Sequence, residues 1–305
     1  MSAVAVVGRA SEEPCRLLIA ALQAQRTHVL VLDQLAAQRA PTQWGLGERG
    51  GLLGHTLVDG VQHALQDLTG LYLRPADDRR LGLADSAALQ AALAWTQAWV
   101  EIAELSRCRV ANRVSAMASN GSKPLQSMCL AEAGFAIPPM LLSNDPDAVL
   151  AFEAEHGTLI YKSASGVRSI VCTLDADSRQ RLPNVRHTPT LFQKRLCGTN
   201  VRVHVVGFEV FATEIDSDVL DYRYASAQGG STELRATRLP PDIEALCLRA
   251  TRQLGLVFAG LDLMLADDGQ TYCFEANPSP GYSYFENATG QPIAAALARH
   301  LAGID

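Results

Sequence analysis

Aromatic residues make up only 6% of the 305-residue chain, and its seven cysteines (Cys15, Cys108, Cys129, Cys172, Cys197, Cys247, Cys273) form no CxxC pair. Widely spaced and mostly set among apolar neighbours, they suit free buried thiols in a reducing compartment better than a disulfide framework. No run of about 18 apolar residues occurs, and the amino terminus lacks a basic segment leading into an apolar core and a small-residue cleavage site. These absences predict a cytoplasmic protein without a membrane partner. Lysine and arginine are scattered through a chain of net charge −6, with no basic stripe to track a phosphate backbone, which argues against nucleic acid. Gly8 is followed by Arg9 and Ala10, not by the further glycines of a dinucleotide fingerprint, and reads as a turn glycine. No Ser-His-Asp elbow and no zinc-type His/Cys cluster is visible.

What is present is a chain that is 48% hydrophobic, enough for a large core divided between two or three lobes of α/β (α+β) character. The opening Ala3-Val4-Ala5-Val6-Val7-Gly8, a helical pattern through Leu17, Leu18, Ala21 and Leu22, and a second apolar run from His28 to Leu32 form a βαβ start. The glycine-rich stretch 42–70 has no clear period. A short strand Leu71-Tyr72-Leu73 and a long helix over Ser86 to Leu105 follow, with Trp95 and Trp99 sharing one face as packing residues. Asn144-Asp145-Pro146 starts a helix that Gly157 closes. Strands are expected at 158–162, 169–174, 190–195, 201–206 and 209–215, then a helix over 241–254, a hairpin, and a last helix over 291–301.

The hairpin carries the chemistry. In Phe258-Ala259-Gly260-Leu261-Asp262-Leu263-Met264-Leu265-Ala266-Asp267-Asp268-Gly269-Gln270-Thr271-Tyr272-Cys273-Phe274-Glu275-Ala276-Asn277, a two-residue Asp268-Gly269 loop sets Asp262 opposite Glu275. Leu261, Leu263, Leu265, Tyr272, Phe274 and Ala276 then form a core face, while Asp262, Glu275 and Asn277 gather on a polar one. Carboxylates opposed at about 5 Å repel by roughly 3 kcal/mol at an effective dielectric near 20. A bound cation would remove that penalty, and an oxygen-only set of two acids and an amide suits Mg²⁺. The bland alternative is a solvated hairpin whose acids stay apart in water.

The continuation Pro278-Ser279-Pro280-Gly281 and Phe285-Glu286-Asn287-Ala288-Thr289-Gly290-Gln291 completes a block that resembles the carboxyl-terminal signature of RimK-like ATP-grasp ligases. Upstream segments resemble the same family in order over roughly residues 110–303. Lys123 and Lys162 look like its two nucleotide lysines, Gln193-Lys194-Arg195-Leu196 like the hinge that offers backbone groups to adenine, and Gly198-Thr199-Asn200-Val201-Arg202 like its Gly-x-Asp-x-Arg stretch. The resemblance implies a small α/β pre-ATP-grasp lobe over 1–110, one ATP-grasp subdomain over 111–190, and a second with the metal site over 191–305. It also implies ATP and Mg²⁺ (or Mn²⁺) as cofactors, with Asp262, Glu275 and Asn277 holding the metal.

Departures from the family pattern are visible. Lys162 is followed by Ser163-Ala164-Ser165-Gly166-Val167-Arg168-Ser169, so Ser163, Ser165 and Arg168 stand where relatives carry a longer glycine-rich loop. Lys194 replaces an acidic hinge residue and Asn200 the ribose-side aspartate. Arg202 is expected to share a strand face with His204 and project into the cleft, and Arg223 is a second candidate for holding a carboxylate or oxyanion. His204 itself is expected to be a hydrogen-bonded strand residue.

The activity implied is ligation of a carboxylate (small molecule, peptide or protein terminus) to an amine or amino acid through an acyl phosphate, with ADP and phosphate released. A macrocyclase that links side chains within a peptide, a kinase acting on a hydroxyl, and a non-catalytic nucleotide-binding module are the competing readings. Self-association into a homo-oligomer is also open.

Overall fold

A computed structural model describes residues 3–77, 81–163, 171–217 and 231–304. The chain opens with β1 (Ala3–Gly8), α1 (Glu13–Ala24) and β2 (His28–Asp33). Next come β3 (Thr42–Leu46), β4 (Leu52–Val58), β5 (Val61–Ala64), β6 (Leu68–Arg74), α2 (Ser86–Leu105) and β7 (Arg109–Ala111). Strands β2-β1-β6-β7 make a parallel sheet. Every residue of β1 is buried, which is why it reads as an unbroken apolar run: both its faces are covered. Trp99, Ile102 and Ala103 of α2 pack on one face with Leu30, Leu32 and Leu71. The stretch without a sequence period is a separate antiparallel sheet, β3-β4-β5.

A second sheet has the order β10-β9-β11-β8, built from β8 (Met140–Ser143), β9 (Leu159–Ser163), β10 (Cys172–Thr173) and β11 (Thr190–Lys194). Helices α3 (Lys123–Glu132), α4 (Pro146–His156) and α5 (Ala176–Gln180) interleave with it. The α4 ends match their sequence signals, with the Asp145 side chain accepting from the Asp147 amide and Gly157 ending the helix at φ +78°.

The third sheet, β14-β13-β12-β15-β16, is antiparallel throughout. Its strands are β12 (Gly198–Val206), β13 (Glu209–Ser217), β14 (Thr232–Thr237), β15 (Phe258–Ala266) and β16 (Thr271–Asn277). Val201, Val203, Val205, Leu261, Leu263 and Ala276 turn one face toward Leu130 and Ala133 of the α3 region and Cys247 and Ala250 of α6 (Pro241–Gln253). The opposite face is left for polar groups. Instead of the single closing helix expected, there are two, α7 (Ser283–Thr289) and α8 (Ile293–Ala302), separated by Gly290 in the left-handed conformation. Leu297 and Leu301 of α8 return to the first sheet and pack with Val4, Val6 and Leu18. All seven cysteines are free thiols; Cys15, Cys247 and Cys273 are buried and Cys197 is exposed. Among the described residues no helix is long and apolar enough to cross a membrane.

Candidate active site

The hairpin of β15 and β16 places Asp262 opposite Glu275, as its sequence predicts, but by a different route. The loop has three residues, not two. The Ala266 amide donates to the Gln270 carbonyl at 3.0 Å and the Gly269 amide to the Ala266 carbonyl at 2.9 Å, with Gly269 at φ +82°. That shifts the register by one, and Leu263 pairs with Cys273. A bulge at Phe274 then restores the pairing before Asp262 and Glu275 meet. The extra residue also reverses side-chain parity. Cys273 is fully buried where the simple alternation puts Phe274, and Tyr272 lies outward with its hydroxyl donating to Asp268 Oδ2 at 3.0 Å. The expectation that Tyr272 and Phe274 lie in the core is thus overturned.

On the polar face of the third sheet, Arg202 pairs with Asp262 in the β12–β15 register, and its Nη1 lies 2.6 Å from Asp262 Oδ1. Asn200 is two residues away on the same face, and Gly260 pairs with Asn277. The Glu275 carboxyl is pushed above the ordinary carboxylate range, first by burial and then by Asp262, with which it shares a hydrogen bond. The positive charges of Lys123 and Arg202 act in the opposite direction. Four of the sequence-selected residues therefore converge, Lys123, Arg202, Asp262 and Glu275, and Asn277 follows on the same face of β16 with its Oδ1 accepting from the Ser279 amide at 2.9 Å. Among the described residues no group of three His, Cys, Asp or Glu side chains is arranged to hold a metal ion. Two facing carboxylates plus an amide remain, a donor set that fits Mg²⁺, which takes one or two carboxylates and completes its shell with water and phosphate.

Two residues without a sequence-assigned role shape this centre. The Arg202 guanidinium lies 5.7 Å from the Phe285 ring centroid and across Gly260. A Cβ on Gly260 would sit 2.4 Å from Arg202 Nη2 and 2.7 Å from the Pro280 Cβ. Gly260→Ala is therefore expected to push Arg202 off Asp262, at roughly 1–3 kcal/mol of overpacking. Thermal melts read that cost, and its disappearance when Gly260→Ala is made in an Arg202→Ala background would tie it to the guanidinium. Phe285 stood within the quoted carboxyl-terminal block, and Gly260 within the hairpin, but neither residue type announces a cradle for an arginine.

His204 departs from its expectation. It is fully buried, and neither ring nitrogen has a hydrogen-bond partner among the described residues. The ring makes an edge contact with Phe285 at 5.1 Å and a tilted one with Phe258 at 6.4 Å. Burial, assisted by Arg202, holds its pKa well below the usual histidine value, so it is a neutral packing group.

Lys162, Ser163, Gln193 and Lys194 lie in the second sheet, and Arg195 and Leu196 directly follow it. Lys162 pairs with Leu191, and Gln193 with Ile160 and Met140. The side chains of Lys162 and Gln193 therefore share one sheet face, opposite to Tyr161 and Phe192, which pack with the helices. Lys194 has the other parity, leaving its backbone as the useful part. Its amide donates to the Pro139 carbonyl at 2.9 Å and that of Arg195 to the Thr158 carbonyl at 2.8 Å. The Leu196 amide has no such bond among the described residues. Ser163 is exposed at the end of β9. Ser165, Arg168 and Arg223 lie outside the described residues.

A RimK-like ATP-grasp domain matches residues 122–301, and the chain belongs to that family. A probable alpha-L-glutamate ligase of Histophilus somni is 30% identical over 190 residues, covering 59% of this chain and 62% of that protein. The chain thus spans less than two thirds of that relative. The ATP-grasp ligase PsnB, solved with a minimal precursor, Mg and ADP, superimposes with a TM-score of 0.77 at 28% identity, covering 99% of this chain and 96% of that one. The macrocyclase MdnC of Microcystis aeruginosa, bound to its precursor peptide MdnA, shares the fold at 22% identity and a TM-score of 0.78, over 99% of this chain and 100% of that one.

Proposed function

We propose that this chain is an ATP-dependent carboxylate–amine ligase whose carboxylate belongs to a peptide. The pairing of Asp262 with Glu275, backed by Arg202 and Lys123, is the observation that carries the chemistry. The likeness over nearly the full length of both chains to PsnB, which has also been solved with a precursor peptide, supports a peptide substrate over a free small acid.

A bound Mg²⁺ would neutralise and align the phosphate oxygens, and Asp262, Glu275 and Asn277 are the residues to hold it. Lys123 and Lys162 serve as point charges for the nucleotide phosphates. Ser163 and, on sequence grounds, Ser165 would extend that contact, Asn200 would serve the ribose and Gln193 the nucleotide face, and the Leu196 amide would offer adenine a donor. In the first step a substrate carboxylate oxygen attacks the γ-phosphorus and ADP leaves, giving an acyl phosphate. In the second, an amine nitrogen attacks the acyl carbon, phosphate departs, and the amine proton passes to water. Arg202 and, on sequence grounds, Arg168 and Arg223 offset the negative charge that builds in both steps.

ADP release, screened against acid-containing peptides with and without added amines and followed by mass spectrometry, tests this reading. Loss of one water within a single peptide would identify side-chain linkage, whereas a stable phosphopeptide would replace the ligase with a kinase. Lys162→Ala is expected to weaken ATP binding about tenfold, roughly 1.4 kcal/mol. An unchanged dissociation constant by calorimetry would remove Lys162 from the phosphate site.

A further inference from the structure

Gln126 is 5% exposed and sits one turn beyond Lys123 on α3. Its Oε1 accepts from the Ala276 amide at 3.0 Å and its Nε2 donates to the Ala276 carbonyl at 2.8 Å. Ala276 is the residue between Glu275 and Asn277, on the outer strand of the third sheet. A glutamine side chain thus takes both backbone bonds at that point of the strand. The residue it grips is flanked by the two groups on β16 that the proposed metal centre needs. Because Lys123 and Gln126 lie three residues apart on one helix, the same face that brings a positive charge to Glu275 also fixes the strand carrying it.

We infer that Gln126 is a positioning residue of the metal and phosphate centre: its carboxamide clamps Ala276 so that Glu275 and Asn277 are held in register with Asp262 and with Lys123. This inference rests on the proposed metal site. A strand that is free to slide or twist at Ala276 would keep both donors but misplace them, and metal binding by a small, strictly octahedral cation is intolerant of that. A simple packing role would make the residue replaceable by any side chain of similar volume. The clamp requires one donor and one acceptor at the same time, which a glutamine carboxamide provides at every pH and a glutamic acid only while it is protonated.

The test uses the full chain and measures ADP affinity by calorimetry with and without Mg²⁺, alongside melting temperature. Gln126→Leu removes both bonds, and Gln126→Glu keeps the volume and the acceptor. The clamp predicts that folded Gln126→Leu binds metal-free ADP within about twofold of wild type while losing most of a roughly tenfold strengthening by Mg²⁺. Gln126→Glu, measured at alkaline pH where its ionised carboxylate has no donor for the Ala276 carbonyl, loses it as well. If Gln126→Leu does not fold, Gln126→Glu alone is read in the same way. Retention of the full Mg²⁺ effect in a folded variant overturns the clamp, and so does loss of the fold in both, which would make Gln126 a general structural pin. Glu275→Gln distinguishes the two levels of the argument. If wild type shows no Mg²⁺ effect, or Glu275→Gln keeps it, the metal site itself is wrong, whatever Gln126 does.

Discussion

Glu275→Gln is expected to lower ligase turnover by about a thousandfold, on the order of 4 kcal/mol, while making the metal-free protein harder to melt at neutral pH. The first half follows from removing a charged oxygen donor beside the phosphates. The second follows from the sign of the carboxyl's shift. Burial and Asp262 raise the Glu275 pKa, so the folded metal-free protein holds a proton more readily than the unfolded chain. The stability this supplies is complete below the ordinary carboxylate range and is lost as pH rises through the raised value. At neutral pH the ionised side chain therefore costs stability, and glutamine removes that cost. The gain in melting temperature should shrink as pH falls, and excess Mg²⁺ with nucleotide should reverse the order of the two proteins. A metal-free variant less stable than wild type at neutral pH would mean that Glu275 is held by something other than a cation.

Arg202→Met should destabilise the fold by roughly 3–5 kcal/mol, because it leaves the Asp262 carboxylate facing Glu275 without its 2.6 Å partner in a largely buried site. The loss should be smaller in Asp262→Asn, where no second carboxylate charge remains to be compensated. Denaturant unfolding of the two single variants and the double variant measures the coupling directly, and additive effects would contradict a working ion pair. Activity in Arg202→Met should fall along with stability, since the same guanidinium borders both the carboxylates and Phe285.

The elements that the sequence made readable are those with one strong local signal. The helix over Ser86 to Leu105 declares itself by density of apolar residues, and the one after Asp145 by its cap and proline. The opposition of Asp262 and Glu275 was readable because a loop and a bulge shift the register by one residue each, in opposite senses, and the errors cancel at the acids. The bulge itself left no trace. Tyr272, Cys273 and Phe274 are all apolar enough for the core, so neither register violates patterning. Strand β14 and helix α7 were missed because Thr232–Thr237 is an edge strand of polar, mostly outward side chains and Ser283–Thr289 is only two turns long. The His204 expectation failed for a tertiary reason. Its ring is enclosed by Phe258 and by Phe285, which arrives from the far end of the chain. Contacts of that kind, like the grip of Gln126 on Ala276 across 150 residues, have no local period to reveal them.

A crystal structure with Mg²⁺ and a non-hydrolysable ATP analogue tests the central claim most directly. Coordination of the ion by Asp262, Glu275 and Asn277, with Lys123 and Lys162 at the phosphates, is the predicted result. A magnesium–phosphate centre built elsewhere, with those three side chains turned away from it, would contradict the account.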